Sequence, residues 1–511
     1  MIESASCGAV KHEPVTMIGF PERLRQWAEA TPGHVAVSCA GEDMTYAELW
    51  QRVERATVQL AGSWRVAAGD RIGYLGINHT DQLISLVALM RLGALLVPLN
   101  YRLAANELGA IVAHADISQV IADENFASMA AALGVPARER SALRASLPDT
   151  GPRAILIESD PNSAALLVYT SGTTGQPKGA VHTHGGLVWN ALASIAMHDM
   201  TADDIVLSVL PLFHVGGLCI QTLPALYVGA HIILHPRFDA GTWLAAVAEV
   251  KPTISLMVPA TMRLVQEHPR WEYTDLSSLR VLGAGSSTIP DALIAGFHAR
   301  GVPVCQIYGA TETGPVSIVL RAEDAFAHAG AAGRPAPGCA IRLVAGQGDV
   351  GGSGEVGEIW VKAPNVMQGY WRDPQSPAFA DGWFRTGDLA HRDAEGYYTV
   401  VGRSRDMIIS GGENIYPAEI ENVLAGITEI AEAAAIGVPD SQWGEVPVAV
   451  VVLREGAWLD ESAIRARFED NLARFKHPRR IVFRASLPRN ALGKVQKALL
   501  IADLKAGNQL G

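Results

Sequence analysis

An apolar run followed by a loop dense in hydroxyl groups and glycines constrains the fold of this chain more than any other feature. Residues 164–168 are all apolar and predict a buried strand. Residues 169–179, YTSGTTGQPKG, follow at once and contain four Ser or Thr hydroxyls, three glycines and Lys178. Glycines let backbone N–H groups approach an anion closely, hydroxyls donate hydrogen bonds, and the lysine adds positive charge. The pattern therefore predicts a polyphosphate-binding loop at the end of a strand.

The loop does not match the Walker A pattern of nucleotide-binding proteins. That pattern requires a lysine followed by Ser or Thr, whereas Lys178 is followed by Gly179. Only two residues separate Gly172 from Gly175, fewer than the Walker loop requires. A surface linker rich in Ser, Thr and Gly is the alternative interpretation. The density of donors and the strand before the loop favour a binding site.

Strand-like and helix-like segments alternate in the first part of the chain. Residues 45–48, Thr-Tyr-Ala-Glu, form a capping box that opens an amphipathic helix. Residues 71–77 and 94–99 are strand-like and residues 79–92 between them are helix-like, which indicates a βαβ unit with parallel strands. Similar units recur to about residue 330 and predict a body of helix-covered sheets.

Two changes of texture divide the rest of the chain. Residues 338–401 have short strand-like segments with frequent glycines and predict a compact β-rich lobe. After residues 402–406 the pattern becomes helix 417–424, strand 446–453 and helix 460–472, which is enough for a small separate domain. A length of 511 residues also exceeds what one hydrophobic core usually supports, so more than one domain is expected.

Composition excludes several classes of function. A net charge of −11 argues against nonspecific binding to nucleic acid or to an acidic membrane surface. The five cysteines form no CxxC pair and no cluster with histidines, which favours free thiols in a reducing cytoplasm and argues against a cysteine metal site. Residues 1–16 have no apolar stretch typical of a signal peptide, and no apolar segment is long enough to predict a membrane span.

Four further motifs follow the phosphate loop along the chain. They are Tyr308-Gly-Ala-Thr-Glu-Thr313, Trp383-Phe-Arg-Thr-Gly-Asp388, Gly402-Arg-Ser-Arg-Asp-Met-Ile-Ile-Ser-Gly-Gly-Glu-Asn414 and Pro488-Arg-Asn-Ala-Leu-Gly-Lys494. In this order, the five motifs resemble the signatures of the adenylate-forming enzymes, which include acyl-CoA synthetases, peptide-synthetase adenylation domains and beetle luciferases. The resemblance covers nearly the whole chain.

The resemblance implies an α/β fold with two domains. A large N-terminal domain of helix-covered sheets is expected over residues 17–404, with the β-rich lobe at about 338–401. A small, mobile C-terminal α+β domain is expected over residues 405–511 and would carry the catalytic lysine and CoA contacts. ATP and the acid are expected to bind at the junction of the two domains.

Members of this superfamily join a carboxylic acid to AMP with release of pyrophosphate, and then pass the acyl group to a thiol. The resemblance therefore implies ATP, Mg²⁺ and coenzyme A as cofactors and substrates. It assigns ATP contacts to the following residues: Thr170, Ser171, Gly172, Thr173, Thr174, Gly175, Lys178, Ser286, Ser287, Thr288, Tyr308, Gly309, Ala310, Thr311, Asp388, Arg403 and Lys494.

By the same resemblance, catalytic roles are expected for Lys494, His214, Glu312 and Thr170. Glu312 is the expected Mg²⁺ ligand, because a hard carboxylate suits a hard cation that bridges phosphates. Asp388 is expected to accept hydrogen bonds from both ribose hydroxyls, and Lys494 to contact ATP and carboxylate oxygens during adenylation. The alternatives are a surface carboxylate for Glu312, an ordinary turn aspartate for Asp388 and a solvated side chain for Lys494.

An acid pocket is expected around His214, which stands among apolar residues. A satisfied core histidine is the alternative; in the superfamily the position lines the acid pocket and closes the thiol channel. Small walls leave room for a ring or a modest chain, and these segments carry no extra cation for a second carboxylate. The expected lining is His214, Val215, Gly216, Ala284, Gly285, Gly309, Gly314 and Pro315.

A likeness to benzoate-type ligases extends the assignments to CoA. His477 replaces an arginine there, so binding of a CoA phosphate is expected to be weaker or pH-dependent. Arg405 occupies the hinge about which the C-terminal domain would rotate between the two half-reactions, where Asp or Lys is more usual. Many residues can make such a φ/ψ change. The expected CoA contacts are Arg102, Gly411, Gly412, Trp443, Phe475, His477 and Arg479.

Together these expectations describe a cytoplasmic, ATP-dependent acid–CoA ligase for an aromatic monocarboxylic acid of the benzoate or hydroxycinnamate type. The alternatives are a medium-chain fatty acid–CoA ligase, a stand-alone adenylation enzyme that loads a carrier-protein thiol, a luciferase-like oxygenase and a non-enzymatic binding module. Neither nucleic-acid binding nor integral membrane association is expected. The oligomeric state stays open, with a homodimer among the alternatives.

Overall fold

Two large sheets form the body of the molecule. The computed structural model describes residues 17–144, 160–170, 178–286, 289–346, 348–350, 352–411, 413–440, 442–469, 471–489 and 494–506. Neighbouring strands of the first sheet are parallel from Val304–Tyr308 across to Val35–Cys39. Within the described ranges its strand order is Arg334–Pro335, Ile318–Val319, Val304–Tyr308, Val281–Gly285, Ile254–Met257, Ile205–Ser208, His231–Leu234, Val35–Cys39 and Glu42–Thr45.

The second sheet carries the strand that precedes the phosphate loop. Strands Arg71–Leu75 and Leu95–Leu99 pair in parallel and are joined by helix Thr80–Leu92, which confirms the predicted βαβ unit with slightly shorter strands. In the part of the chain described, its strand order is Gly369–Tyr370, Lys178–Thr183, Ala164–Thr170, Leu95–Leu99, Arg71–Leu75, Gln119–Ala122 and Ala137–Glu139.

The helices cover these sheets and fill the space between them. The predicted capping box is present, since the Thr45 hydroxyl accepts from the Glu48 amide while the Glu48 carboxylate accepts from the Thr45 amide. Of the described helices, none combines the length and apolar character needed to cross a membrane. The described α-helices are Phe20–Ala30, Tyr46–Ala61, Thr80–Leu92, Ala105–Ala115, Ala127–Ala131, His184–His198, Val215–Gly217, Leu223–Val228, Ala240–Val250, Pro259–Gln266, Asp291–His298, Pro417–Ala425, Glu461–Glu469 and Lys497–Ala506.

The main hydrophobic core lies between the two sheets. Helix Thr80–Leu92 is buried along its whole length except at Arg91, which is why its sequence lacks a polar stripe. The same core cluster includes Val37 of the first sheet and Leu166 of the second. A helix packed on both sides in this way fixes the two sheets relative to each other, and with them the loops at the strand ends.

A third sheet forms the predicted β-rich lobe. Trp383–Arg392 pairs with Val356–Lys362 on one side and Tyr398–Arg403 on the other. This places Asp388 opposite Arg403 across the ladder. The described strands of this sheet are Gly348–Asp349, Ala340–Ala345, Val356–Lys362, Trp383–Arg392, Phe379–Ala380 and Tyr398–Arg403.

The C-terminal part builds its own sheet and core. The described strands of this sheet are Glu413–Ile415, Ile408–Ser410, Gly444–Leu453, Ile430–Asp440 and Arg480–Phe483. Helices Pro417–Ala425 and Glu461–Glu469 share one core cluster with it, and Leu500 and Leu504 of the last helix belong to a second cluster. The predicted helix 460–472 ends at Glu469, and the Asn471 side chain donates to the Arg467 carbonyl that the helix leaves open. The predicted fold class, mixed α/β with a separate C-terminal α+β domain, is confirmed.

Candidate active site

The predicted phosphate loop connects two antiparallel strands, the second and third of the second sheet, next to the edge strand Gly369–Tyr370. Strand Ala164–Thr170 confirms the predicted buried strand, and it pairs with Lys178–Thr183 so that Thr170 faces Lys178 across the ladder. The Thr170 hydroxyl lies 3.5 Å from the Lys178 carbonyl oxygen. These two residues hold the ends of the loop together. The remaining predicted loop contacts, Ser171, Gly172, Thr173, Thr174 and Gly175, lie outside the described residues.

Tyr370 contacts both Lys178 and Glu312, which are predicted to bind the phosphates and the magnesium ion. The Lys178 ammonium lies 4.9 Å from the centre of the Tyr370 ring and 3.7 Å from an oxygen of Asp373. The Tyr370 hydroxyl donates a 2.8 Å hydrogen bond to Glu312 Oε1. The predicted phosphate-binding lysine and the predicted magnesium ligand thus share one aromatic side chain. Sequence reasoning missed Tyr370 and Asp373.

The turn after strand Val304–Tyr308 positions Glu312 and Thr311. The Ala310 amide donates to the Thr313 hydroxyl at 2.9 Å, which closes a single 3₁₀ turn. A Cβ at Gly309 would lie 1.6 Å from the Pro315 carbonyl oxygen, so only glycine fits at this crossing of the chain. Thr311 is buried and Glu312 is half-buried at the surface of the site.

Asp388 is clamped by two side chains from different strands. The Tyr308 hydroxyl donates to Asp388 Oδ2 at 2.9 Å, and Arg403 Nε lies 2.8 Å from Oδ1. Burial raises the pKa of Tyr308, and the nearby Asp388 carboxylate raises it further, so the phenol stays a proton donor. These contacts join the first sheet to the β-rich lobe and fix the direction of the carboxylate.

Lys494 lies beside this clamp although it belongs to the C-terminal domain. Burial lowers the pKa of Lys494 and the positive charge of Arg403 lowers it further, while Asp388 opposes the shift. Arg405 and Asp406 act on it more weakly and in opposite directions. Lys494 therefore lies within electrostatic range of both Asp388 and Arg403.

His214 begins the short helical turn Val215–Gly217, where Gly216 donates its amide to His214 Nδ1 at 3.1 Å. Burial lowers the pKa of His214 to about 4, so the imidazole is neutral near pH 7. A Cβ at Gly217 would lie 2.3 Å from the Pro211 carbonyl oxygen, which explains the glycine there.

Ala284 and Gly285, two of the predicted acid-pocket residues, lie on opposite faces of strand Val281–Gly285. A Cβ at Gly285 would meet the Ile307 carbonyl oxygen at 2.6 Å, so the backbones approach closely there. The Ala284 side chain packs in a core cluster with Leu282, and alternation along a strand puts it on the face opposite Gly285. Ala284 can line the expected pocket only through its backbone.

Among the predicted ATP contacts, Ser286 is exposed and has a positive φ of 77°, as suits a tight turn. Ser287 and Thr288 lie outside the described residues.

Gly314, a predicted acid-pocket residue, also has a positive φ, of 103°, and a Cβ there would lie 2.6 Å from the Asn365 carbonyl oxygen. It sits where Asn365 donates to the Thr313 carbonyl oxygen, beneath the turn that carries Glu312.

The predicted CoA residues fall into two groups. In the C-terminal domain a Cβ at Gly411 would lie 2.7 Å from the Trp443 ring, and the Arg479 guanidinium lies 5.6 Å from the centre of that ring. Phe475 is exposed in the same domain, and His477 Nε2 lies 2.8 Å from the Leu472 carbonyl oxygen. Gly412 lies outside the described residues.

Arg102 belongs to the other group, in the N-terminal domain. Its guanidinium lies 5.7 Å from the ring centres of both Tyr101 and Phe213, and Phe213 precedes His214. The predicted hinge, Arg405, lies in the half-exposed 3₁₀ turn Ser404–Asp406, directly after the last strand of the β-rich lobe. The turn connects the two parts of the chain that carry the two groups.

The chain belongs to the AMP-binding enzyme family. Residues 24–371 match the AMP-binding enzyme family, and residues 419–494 match the AMP-binding enzyme C-terminal domain.

Among its relatives, an indoleacetate–CoA ligase of Aromatoleum aromaticum is 44% identical over 93% of this chain and 96% of its own length. A feruloyl-CoA synthase of Amycolatopsis is 41% identical over 92% of this chain and 96% of its own length. A solved o-succinylbenzoate CoA synthetase from Bacillus subtilis, in complex with ATP and magnesium ion, has a TM-score of 0.83 at 32% identity and covers 93% of this chain and 98% of its own.

Proposed function

We propose that this protein is an ATP-dependent acid–CoA ligase that works in two half-reactions. A carboxylic acid and ATP give acyl-AMP and pyrophosphate, and CoA then gives the acyl-CoA and AMP. The observation that carries the proposal is the electrostatic proximity of Lys494, from the C-terminal domain, to the Asp388–Arg403 pair.

The first half-reaction must bring two anions together, so the site has to supply positive charge. The carboxylate oxygen forms a bond to the α-phosphorus while the bond to pyrophosphate breaks. Lys494 is placed to stabilise the charge that develops on the α-phosphate and the acid oxygens. Lys178 serves the outer phosphates, and Asp388 accepts the ribose hydroxyls in the direction set by Tyr308 and Arg403.

Glu312 has the chemistry of a magnesium ligand. Its carboxylate is half-buried, and the hydrogen bond from Tyr370 fixes one oxygen, as hydrogen bonds to metal-bound carboxylates commonly do. Among the described residues no group of three or more His, Cys, Asp or Glu could hold a metal alone, so phosphate oxygens and water would complete the coordination. When bound, Mg²⁺ neutralises phosphate charge.

The second half-reaction requires the C-terminal domain to turn. We place the domain boundary between residues 404 and 405, with Arg405 as the hinge, because the short turn Ser404–Asp406 separates the lobe from the C-terminal sheet. Rotation would withdraw Lys494 and present Gly411, Trp443 and Arg479 to CoA. Neutral His214 would line the path of the thiol.

An aromatic monocarboxylic acid is the proposed substrate. The Cβ positions of Gly285 and Gly309 are filled by the carbonyl oxygens of Ile307 and Pro315, so these glycines set close backbone packing and not the width of the pocket. Two relatives are named for indoleacetate and ferulate. A medium-chain fatty acid is the second candidate, favoured by the apolar cluster around Leu256 and Ile307.

The test is pyrophosphate release and thioester formation across acetate, malonate, octanoate, benzoate and ferulate, with free CoA and with a holo carrier protein as acceptors. Aryl acids with free CoA should give the highest kcat/KM, and acetate should be poor because each missing methylene costs about 1–3 kcal/mol. A higher value for octanoate would replace the aryl proposal with the second candidate. Transfer to the carrier protein alone would overturn the CoA assignment.

The cellular setting is part of the proposal. We place the enzyme in the cytoplasm, because Cys39, Cys219, Cys305 and Cys339 are free thiols. A homodimer is left open, and light scattering of the purified protein would decide it.

A further inference from the structure

Gln221 is a buried amide whose nitrogen has a hydrogen-bond partner and whose oxygen has none among the described residues. It lies in the π-helical turn Leu218–Thr222, which follows His214 and Gly217 directly, and π-helical turns recur at functional sites. Its side chain is only 2% exposed. Nε2 donates to the Ser255 carbonyl oxygen at 3.2 Å, while Oε1 is buried with no hydrogen-bond partner among the described residues.

The orientation of the amide follows from its one partner. A backbone carbonyl oxygen accepts hydrogen bonds and cannot donate, so the amide nitrogen of Gln221 must face Ser255. The oxygen then points elsewhere. Burying an acceptor without a donor is unfavourable, and buried side-chain acceptors are normally paired. Gln221 Oε1 is therefore prepared to receive a donor that the described chain does not supply.

The amide lies on the same face of the first sheet as the proposed acid pocket. A Cβ at Gly283 would come within 2.9 Å of Gln221 Nε2, so the glycine makes room for the amide. Gly283 and Gly285 point to one face of their strand because they are two residues apart. At about 3.4 Å per residue, Gln221 lies roughly 7 Å deeper than Gly285. That depth matches the far edge of an aromatic acid whose carboxyl group is near the strand end.

The apolar surroundings of the Gln221 amide favour an uncharged hydrogen-bond donor as its partner. Leu256 and Ile307 both approach the position of Gly283, and they belong to an apolar cluster with Ile220 and Leu210. A charged group would lose its hydration there without compensation. A neutral N–H or O–H on a ring would keep the apolar contacts and supply the missing donor.

We propose that Gln221 is a specificity-determining residue, and that its Oε1 accepts a hydrogen bond from a ring N–H or phenolic O–H on the edge of the aryl acid opposite its carboxyl arm. This inference rests on the proposed aryl acid–CoA ligase function. It narrows the substrate class from aryl acids in general to those with a neutral donor at that edge.

The experiment compares matched acids with and without the donor. The kcat/KM for adenylation is measured by pyrophosphate release for indole-3-acetate against 1-methylindole-3-acetate, and for 4-hydroxycinnamate against cinnamate. In the wild type, at least one donor acid should exceed its partner by about tenfold or more, because the partner leaves the buried acceptor unpaired. This arm needs no mutant, so it holds even if a variant folds poorly.

The second arm changes the protein. Gln221→Leu keeps the approximate size of the side chain and removes the acceptor, so the ratio within the preferred pair should fall to about one. Ile220→Val is the matched control, because it alters the same apolar cluster and keeps the acceptor; the ratio should persist. Using the ratio within a pair cancels any general loss of activity.

The outcomes separate the two proposals. If aryl acids are adenylated but the wild type does not distinguish the members of either pair, or if Gln221→Leu keeps the wild-type ratio, the role of Gln221 is overturned and the ligase proposal stands. If no aryl acid releases pyrophosphate while octanoate does, the aryl function itself fails, and the role of Gln221 with it.

Discussion

The Tyr370 hydroxyl donates a 2.8 Å hydrogen bond to the carboxylate of Glu312, across 58 residues of sequence. The same ring lies 4.9 Å from the Lys178 ammonium. One side chain thus holds the expected magnesium ligand and the expected triphosphate-binding lysine in a fixed relation. Lys178, Glu312 and Tyr370 are far apart in the sequence. The pairing of strand Gly369–Tyr370 with strand Lys178–Thr183 brings Tyr370 beside Lys178.

Tyr370→Phe should therefore weaken the adenylation half-reaction. The variant keeps the ring beside Lys178 and removes only the hydrogen bond to Glu312. Loss of such a supporting contact typically costs about 10–100-fold in metal affinity or activity. The measurement is the Mg²⁺ dependence of pyrophosphate release, which should shift to higher Mg²⁺ concentration.

Tyr273→Phe is the control for this change, since Tyr273 is 73% exposed and its hydroxyl has no place in the proposed site. It should behave as the wild type. An unchanged Mg²⁺ dependence in Tyr370→Phe would show that the hydrogen bond does not support a metal ligand.

Lys494→Ala should remove adenylation selectively. The lysine lies beside Asp388 and Arg403, where its charge would act on the α-phosphate. Loss of one charge-assisted contact to a developing charge should lower the rate by about 10²-fold or more. Synthetic acyl-AMP with CoA should still give thioester at close to the wild-type rate, and exposed Lys362→Ala should leave both half-reactions intact. Acyl-AMP formation at the wild-type rate in Lys494→Ala would remove the assignment.

How far the sequence could predict this structure depends on the range of each interaction. The capping box at Thr45 and the βαβ unit around helix Thr80–Leu92 follow from local patterns and are confirmed. Tyr370 could not be found, because no local pattern connects it to Glu312. The face of Ala284 could have been predicted from strand alternation, which separates it from Gly285. The unpaired oxygen of Gln221 depends on packing between elements and has no sequence signal.

Arg405→Pro should keep adenylation and lose thioester formation, the opposite of the result expected for Lys494→Ala. Proline fixes φ near roughly −65°, so a hinge that must change φ would be held in one state. In this structure Lys494 lies within electrostatic range of Asp388 and Arg403, the arrangement we propose for adenylation, and we therefore expect acyl-AMP to form while thioester production collapses. Rapid-quench measurement of both products checks this. Equal losses in both half-reactions would place the hinge elsewhere or indicate misfolding.

An ion pair between the two domains should favour the arrangement in which Lys494 lies near Asp388 and Arg403. Arg454 Nη1 lies 2.5 Å from Glu267 Oε1, and the Arg454 Nε donates to the Thr428 carbonyl oxygen at 2.9 Å, which fixes the arginine in its own domain. Arg263 on the N-terminal side donates to the Ala431 carbonyl oxygen nearby. These contacts link helix Pro259–Gln266 and its C-terminal end to the C-terminal domain while Lys494 occupies the site.

Glu267→Gln and Arg454→Ala should each reduce adenylation by at most about fivefold, because exposed ion pairs contribute about 0.2–1 kcal/mol. The thioester half-reaction from synthetic acyl-AMP should be unchanged or faster. The double variant should lose little more than either single variant, since both remove one interaction. Additive losses would mean that the two side chains do not act as a pair.

Buried histidines should make the protein sensitive to acid. Burial lowers the pKa of His182 and of His198 to about 4 in the folded state, below the usual value of about 6.5. Between these values the unfolded chain binds protons that the folded chain excludes, so the free energy of unfolding is complete above about pH 6.5 and falls as pH drops towards 4. Each histidine contributes at most about 1.4 kcal/mol per pH unit in that window.

Urea unfolding at a series of pH values would measure this slope. His198→Gln should make the slope shallower between about pH 6.5 and 4, by at most about 1.4 kcal/mol per pH unit, because glutamine does not titrate while His182 still does. A variant whose stability keeps the wild-type slope would show that His198 is protonated in the folded protein, and the burial argument would fail for that residue.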